Sequence, residues 1–384
     1  MNAPVVLDVT RSLSPKSILS PTGIDRVERA YIRHFLTKDA LFMARVGRTQ
    51  MSIDPEAMSA LWERINGITP WGKQDLRDLG RGFKGQISSD IRRLTSKTKT
   101  NIINDFTYLN VGHTNLASLQ SLKANRVIGM VHDLIPLTHP QFQTTASVER
   151  FKVRISALTK EASTLLTNSA QTKEALVKYL AKAGISRDIV VNHLGIEPLP
   201  NVAPQTSQRP SFVILGSIEP RKNHALILKV WETFTEIPEK NRPLLHIIGR
   251  RGWLNEEVFQ TLDTSPLMGR DIIEHPNLTD IEISAILRGA KALLFPSFTE
   301  GYGLPLLEAL SVQTPVIASD LPVFRELTGP LTLYLSPFNV NAWSDEIIIY
   351  STQVKSAGHM PDLSNFSPPS WSEHFEKLDS ILMG

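Results

Sequence analysis

Two segments of the C-terminal half carry charged residues at spacings that suit chemistry. In ALLFPSFTEGYGLPLLEALSVQTPVIAS, which begins at Ala292, an apolar run ends at Pro296–Ser297 and a loop with Glu300, Gly301 and Gly303 follows. The spacing predicts a helix from about Leu304–Pro305, proline being favoured in a first turn, with Glu308 early in that helix. The glycines allow positive φ and close approach of a ligand. The free amides and positive end of the helix suit an anion such as a diphosphate. A carboxylate beside a phosphate is repelled, so Glu300 and Glu308 are better placed to accept hydrogen bonds from sugar and ribose hydroxyls. The second segment, SFVILGSIEPRKNHALILKVW from Ser211, supplies the opposite charge. A strand ends at Gly216–Ser217, and the turn Glu219–Asn223 sets Arg221 and Lys222 at its carboxyl end. Two fixed cations there can neutralise a diphosphate leaving group.

The N-terminal half offers fewer such groups. TGIDRVERA places Gly23 at a strand-to-helix loop, where it serves either close approach to a diphosphate or a plain helix start capped by Thr22. VIGMVHDLIP sets His132 and Asp133 at the carboxyl end of another strand, and a histidine there can equally be satisfied within a core. Ser169, in TNSAQTKEAL, is explained as a helix N-cap.

The elements that must hold these residues alternate short β-branched runs with amphipathic stretches, which predicts parallel α/β architecture. VVLDVT, LFMARV, TYLNVG, RVIGMVHD, TLLTNS and DIVVNHLG read as strands, with a first helix from Gly23 to about Phe35. Glu197 to Pro210 carries four prolines and reads as a linker. Beyond it SFVILGS, PLLHIIG, DIIEH, ALLFPS, PVIAS and LTLYLS are strands again. The expected organisation is residues 1–197 as one Rossmann-like domain with a basic insertion at about 50–105, a linker at 198–210, and a second Rossmann-like domain at 211–365. A last helix at 366–384 is expected to pack back on the N-terminal domain. The cleft between the two units, at the carboxyl ends of the strands, is where ligands are expected.

Composition sets the bounds. A chain of 384 residues suits two domains, and 41% hydrophobic with 21% charged residues is ordinary for a globular protein. With no cysteine, disulfides, thiolate metal sites and cysteine nucleophiles are excluded, which fits a reducing compartment. Neither a secretory signal nor a run long enough to span a membrane is read, so a cytoplasmic location is expected. A net charge of +3 is too small to imply nucleic acid. Between Gly72 and Thr100, however, eight Lys/Arg face three Asp, a local excess of +5 that suits a phosphate-rich or anionic membrane surface, or simply a solvated insertion. No Asp-x-Asp or His-Glu-x-x-His motif offers metal ligands, so no metal or other cofactor is expected.

Taken together, Glu300-x7-Glu308 within EGYGLPLLEAL, the EPRKN turn, and Asp320, Pro322 and Glu326 in D-x-P-x-x-x-E resemble the retaining GT-B glycosyltransferases of family 4. The resemblance covers nearly all of the C-terminal half and is looser in the N-terminal half. It implies two Rossmann-like domains facing a cleft, the second binding a nucleotide-sugar donor. It further implies Arg221 and Lys222 on the diphosphate, Glu300 on the sugar, Glu308 on the ribose, and backbone contacts around Tyr302, Gly303 and Leu304. Gly23 would approach the diphosphate, and His132 would position the transferred sugar. Retention, independence of metal, and a role in bacterial surface-polysaccharide assembly come from the same resemblance. GDP-mannose is the leading donor, with a dTDP- or UDP-sugar as the alternative. The acceptor would be a saccharide or lipid-linked saccharide at the inner face of the membrane, where the protein would be peripheral. Non-hydrolysing nucleotide-sugar epimerases share the architecture, and a non-catalytic sugar-nucleotide-binding protein could use the same fold. An NAD-dependent oxidoreductase is disfavoured because no Gly-x-Gly-x-x-Gly follows the first strand.

Overall fold

Apolar runs of four to six residues that are buried on both faces settle as parallel strands between helical layers. The computed structural model describes residues 3–46, 49–96, 105–113, 119, 122–352 and 361–383. In chain order the first half contains β1 (Val5–Asp8), α1 (Pro15–Leu19), α2 (Gly23–Phe35), β2 (Ala40–Val46), β3 (Thr49–Ile53), α3 (Pro55–Ile65) and α4 (Gly82–Thr95). It continues with β4 (Thr107–Asn110), β5 (Arg126–Val131), α5 (Ile135–Thr138), α6 (Thr145–Glu161), β6 (Thr164–Thr167), α7 (Ala170–Lys182) and β7 (Asp188–Val191). These strands form one sheet in the order β3-β2-β1-β4-β5-β6-β7, parallel throughout except that β3 pairs antiparallel with β2.

The second half contains β8 (Ser211–Leu215), α8 (His224–Thr233), β9 (Leu244–Ile248), α9 (Glu256–Thr264), β10 (Ile272–His275), α10 (Asp280–Gly289) and β11 (Ala292–Phe295). It ends with α11 (Leu304–Ser311), β12 (Val316–Ser319), α12 (Pro322–Thr328), β13 (Leu333–Leu335), α13 (Val340–Thr352) and α14 (Trp371–Met383). The six-stranded sheet has the order β10-β9-β8-β11-β12-β13 and is wholly parallel. Counted from its own first strand, this is the 3-2-1-4-5-6 order of a dinucleotide-binding fold, whose direction reverses between its first and fourth strands. The loops after β8 and β11 therefore open side by side at the switch point. The corresponding reversal in the first sheet lies between β1 and β4.

Local chemistry explains the helix that opens the first crossover. α2 starts in a capping box: Asp25 accepts from the backbone amide and hydroxyl of Thr22 at 2.6 Å each. Its inner face buries Val27, Tyr31, Ile32 and Phe35. The chain comes back to this helix at its end. In α14 the His374 ring meets the Tyr31 hydroxyl at 2.7 Å, Phe375 stacks on His34 with centroids 4.0 Å apart, and Asp379 pairs with Lys38 at 2.9 Å. His374 Nδ1 donates to the His193 carbonyl at 2.8 Å, so the free ring nitrogen accepts from Tyr31.

The basic stretch folds mostly into α4 and the turn before it; Lys97, Lys99 and Thr100 lie outside the described residues. Three of its arginines are held by its three aspartates. Arg92 pairs with Asp75 at 2.7 Å and Asp78 at 2.8 Å, Arg81 with Asp78 at 2.5 Å, and Arg93 with Asp90. Lys73, Arg77 and Lys84 face outward, beside exposed Leu76, Leu79 and Phe83. Among the described residues no helix is long and apolar enough to cross a membrane.

Candidate active site

The loop leaving β8 begins at Gly216, whose φ of 141° is open to glycine, and a Cβ there would lie 3.3 Å from the Lys222 side chain. Pro220–Lys222 then makes one tight turn and Asn223 takes the left-handed conformation at φ 56°. The Asn223 side-chain amide donates to the carbonyls of Pro296 at 3.2 Å and Pro337 at 2.9 Å. This ties the EPRKN turn to the loop leaving β11 and aims two cations at that loop.

They converge on one carboxylate. Lys222 Nζ lies 2.5 Å from Glu300 Oε1 and Arg221 Nη1 lies 2.5 Å from Glu300 Oε2, while the Ser297 hydroxyl donates to Oε1 at 2.9 Å. Arg221 also reaches Glu219 at 2.7 Å, and Lys222 sits over the Phe295 ring at 4.5 Å. Glu300 is buried, which alone would raise its pKa, but the Arg221 and Lys222 charges and their hydrogen bonds win and hold it at about 2. Burial pulls Lys222 downward, against the opposing pull of Glu300. Glu219 and Asp133 are raised by burial, with Arg221 resisting in both cases.

The other expected donor residues surround this cluster. Gly303, at φ 132°, starts α11, and a Cβ would stand 3.0 Å from the Phe324 ring. Leu304 faces Gly23 across the cleft, its Cδ1 lying 3.6 Å from where a Gly23 Cβ would be. Glu308 is buried and its carboxylate pairs with Arg26 of α2 at 2.5 Å. Tyr302 is buried, and its hydroxyl donates to the Leu194 carbonyl at 2.7 Å. His132 is buried as well, with Nε2 2.7 Å from the Val111 carbonyl. A carbonyl only accepts, so Nε2 carries the proton; burial holds the ring at about 4, neutral at physiological pH, with Nδ1 as its acceptor. One nitrogen of His132 is thus satisfied in the core, and only Nδ1 is free to meet a sugar hydroxyl.

The N-terminal half closes directly onto the Glu300 loop. A Cβ on Gly301 would collide with the His132 carbonyl at 2.4 Å. Ser169 caps α7 and also donates to the Gly301 carbonyl at 2.9 Å. Gln171 donates to the Glu300 carbonyl at 3.3 Å and accepts from Val323 N at 3.0 Å. Glu326 accepts from the Ala170 amide at 2.8 Å and pairs with His193 at 2.8 Å, placing a carboxylate at the positive end of α7. On the rim Phe142 stacks on Phe298 with centroids 5.5 Å apart. Arg26 and Gln171 were not singled out from the sequence. A polar residue on a helix face gives no sign of a partner in the other domain.

Two facing Rossmann-like units with a charged site at the second switch point define the GT-B fold. Residues 196–359 match the family model described as Glycosyl transferases group 1. The chain is 28% identical over 327 residues to the serotype-specific mannosyltransferase WbdA of Escherichia coli, covering 78% of this chain and 39% of that protein. It spans 33% to 39% of the length of the WbdA sequences it matches. The Anabaena protein Alr3699/HepE, solved in complex with UDP and glucose, superposes with a TM-score of 0.61 at 12% identity over 100% of both chains. Sucrose-phosphate synthase from Thermosynechococcus elongatus gives a TM-score of 0.58 at 14% identity over 91% of both.

The pKa of Glu300 ties the site to stability. Its depressed value means that its ion pairs contribute fully above the ordinary value of 4.5 and are lost as pH falls toward about 2. Glu300→Gln is therefore expected to destabilise the protein at pH 7, with the gap to wild type narrowing as pH drops from 4.5 to 3. Denaturant unfolding across that range checks this, and a gap independent of pH contradicts it.

Proposed function

We propose that this chain transfers a hexose, mannose from GDP-mannose, to a saccharide or lipid-linked saccharide acceptor in surface-polysaccharide assembly, with retention of configuration. The observation that carries the reading is the convergence of Arg221 and Lys222 on Glu300 at the switch point of the C-terminal sheet. The match of residues 196–359 and the likeness to WbdA support it.

In this reading the donor diphosphate enters beside α11 and takes over part of the charge on Arg221 and Lys222 that Glu300 now holds. Glu300 is then free to accept from sugar hydroxyls, and Glu308, now on Arg26, from the ribose. The bond between C1 and the leaving phosphate oxygen breaks with oxocarbenium character while the acceptor oxygen bonds to C1 from the same face. The acceptor proton passes to the departing diphosphate, whose charge the two cations stabilise in the role a divalent ion fills elsewhere. His132 Nδ1 accepts from the transferred sugar. Gly23, facing Leu304, leaves room for the diphosphate between the domains.

A dTDP- or UDP-sugar is the alternative donor. A nucleotide-sugar epimerase on this architecture would form product without an acceptor. Acceptor-dependent transfer from GDP-mannose decides between the readings. Lys222→Ala is expected to lower kcat by about 100-fold or more, and near-wild-type turnover would remove Lys222 from the reaction.

Docking to an anionic membrane, if the acceptor is lipid-linked, would use Lys73, Arg77 and Lys84 with Leu76, Leu79 and Phe83, because Arg92 and Arg93 are held by aspartates. Replacing the three outward cations by Glu is expected to weaken sedimentation with phosphatidylglycerol vesicles. Unchanged sedimentation would discard this surface.

A further inference from the structure

Glu326 closes the D-x-P-x-x-x-E stretch and has no part in the proposed donor site. The other two residues serve their own helix: Pro322 opens α12, and Asp320 pairs with Arg325 at 2.5 Å. Glu326 reaches into the first domain instead. Its two oxygens accept from the Ala170 amide of α7 at 2.8 and 3.0 Å, and one of them also meets His193 Nε2 at 2.8 Å. Partial burial raises its pKa, but the His193 and Ala170 bonds win and hold the carboxyl below its ordinary value.

The next residue of α7 returns the contact. Gln171 Oε1 accepts from the Val323 amide of α12 at 3.0 Å, while its Nε2 donates to the Glu300 carbonyl at 3.3 Å. An amide N–H only donates and a carbonyl only accepts, so the site needs one donor and one acceptor on the same side chain. Amides in the first turn of a helix have no partner within it, and Val323 is fully buried, where an unmet amide is costly. α7 and α12 thus each supply a side chain to the first turn of the other, across the domain boundary. The same turn of α7 also grips the loop after β11. Ser169 donates to the Gly301 carbonyl at 2.9 Å, and the Thr172 hydroxyl lies 3.4 Å from the carbonyls of both Gly301 and His132. Residues 169–172 therefore touch backbone on both sides of the cleft, beside Glu300 and beside His132.

We infer that Gln171 and Glu326 are positioning residues: their reciprocal bonds lock α7 to α12 and so hold Glu300 in register with His132 across the cleft. The inference rests on the transferase reading for the reaction this register serves, while the lock itself concerns only the domain arrangement. Arg221 and Lys222 are held from within the second domain. Loss of the lock therefore slows the transfer step rather than weakening the hold on the nucleotide.

Gln171→Leu and Glu326→Ala test it, singly and together. Each is expected to lower kcat by about tenfold or more with the KM for GDP-mannose little changed. The double variant is expected to lose no more than the worse single, because one lock is broken once. Unchanged kcat, a rise in KM alone, or losses that multiply in the double variant overturn the assignment. The absence of cysteine allows a second readout that needs no turnover. Spin labels on Val153→Cys and Glu257→Cys, both exposed and one in each domain, report the distance between the domains. Without nucleotide, the labelled parent is expected to give one narrow distance and each lock variant a broader or longer one. That result, with no transfer by the wild type, upholds the lock and rejects the transferase reading. The same distance distribution in parent and variants rejects the lock.

Discussion

The Glu300 carboxylate, shared between Lys222 and Arg221, is the interaction on which the rest of the site depends. Burying three charged groups is costly and is sustained only where geometry and extra hydrogen bonds compensate. Here Ser297 supplies one such bond, Glu219 a second partner for Arg221, and the Phe295 ring a face for Lys222. The backbone is shaped to the same end. Asn223 spends an unusual left-handed conformation on holding the EPRKN turn to the loop after β11, and Gly216 leaves the lysine stem its space.

Specific polar contacts join the two domains over this cluster. Arg26 on Glu308, Ser169 on the Gly301 carbonyl, and Glu326 on the first amide of α7 each satisfy a group that would otherwise face the open cleft. Of these partners Glu308 belongs to the proposed donor site, so its contact with Arg26 is one that a donor would replace. Binding and domain arrangement are coupled on that reading through the same few atoms. α14 lies elsewhere: its contacts to Tyr31, His34 and Lys38 anchor the end of the chain on the first domain, away from the Glu300 loop.

Much of the architecture was legible because strands buried on both faces and capped helices leave local marks. Thr22 and Asp25 announce α2, and the glycines and proline after β11 announce α11. The short antiparallel β3 and the helix α1 were not foreseen: each is brief, and β3 gains its partner only by lying along β2. Within the basic insertion the count of eight cations against three aspartates stands, but it does not say which are engaged: Asp75, Asp78 and Asp90 hold Arg81, Arg92 and Arg93. The cation–carboxylate cluster was half legible. Residue types and loop positions marked Arg221, Lys222, Glu300 and Glu308 as one site, but not that the cations pair with Glu300, nor that Arg26 holds Glu308.

Thermal unfolding with GDP, UDP, dTDP and NAD, for the wild type and Lys222→Ala, tests the central claim most directly. If the cations that Glu300 holds are the diphosphate site, one nucleoside diphosphate at about 100 times its Kd stabilises the wild type by about 2.7 kcal/mol. The same concentration leaves Lys222→Ala nearly unshifted, and the preferred base names the donor. Stabilisation by NAD alone, by no nucleotide, or equally in both proteins would contradict the assignment of this cluster to a nucleotide-sugar donor.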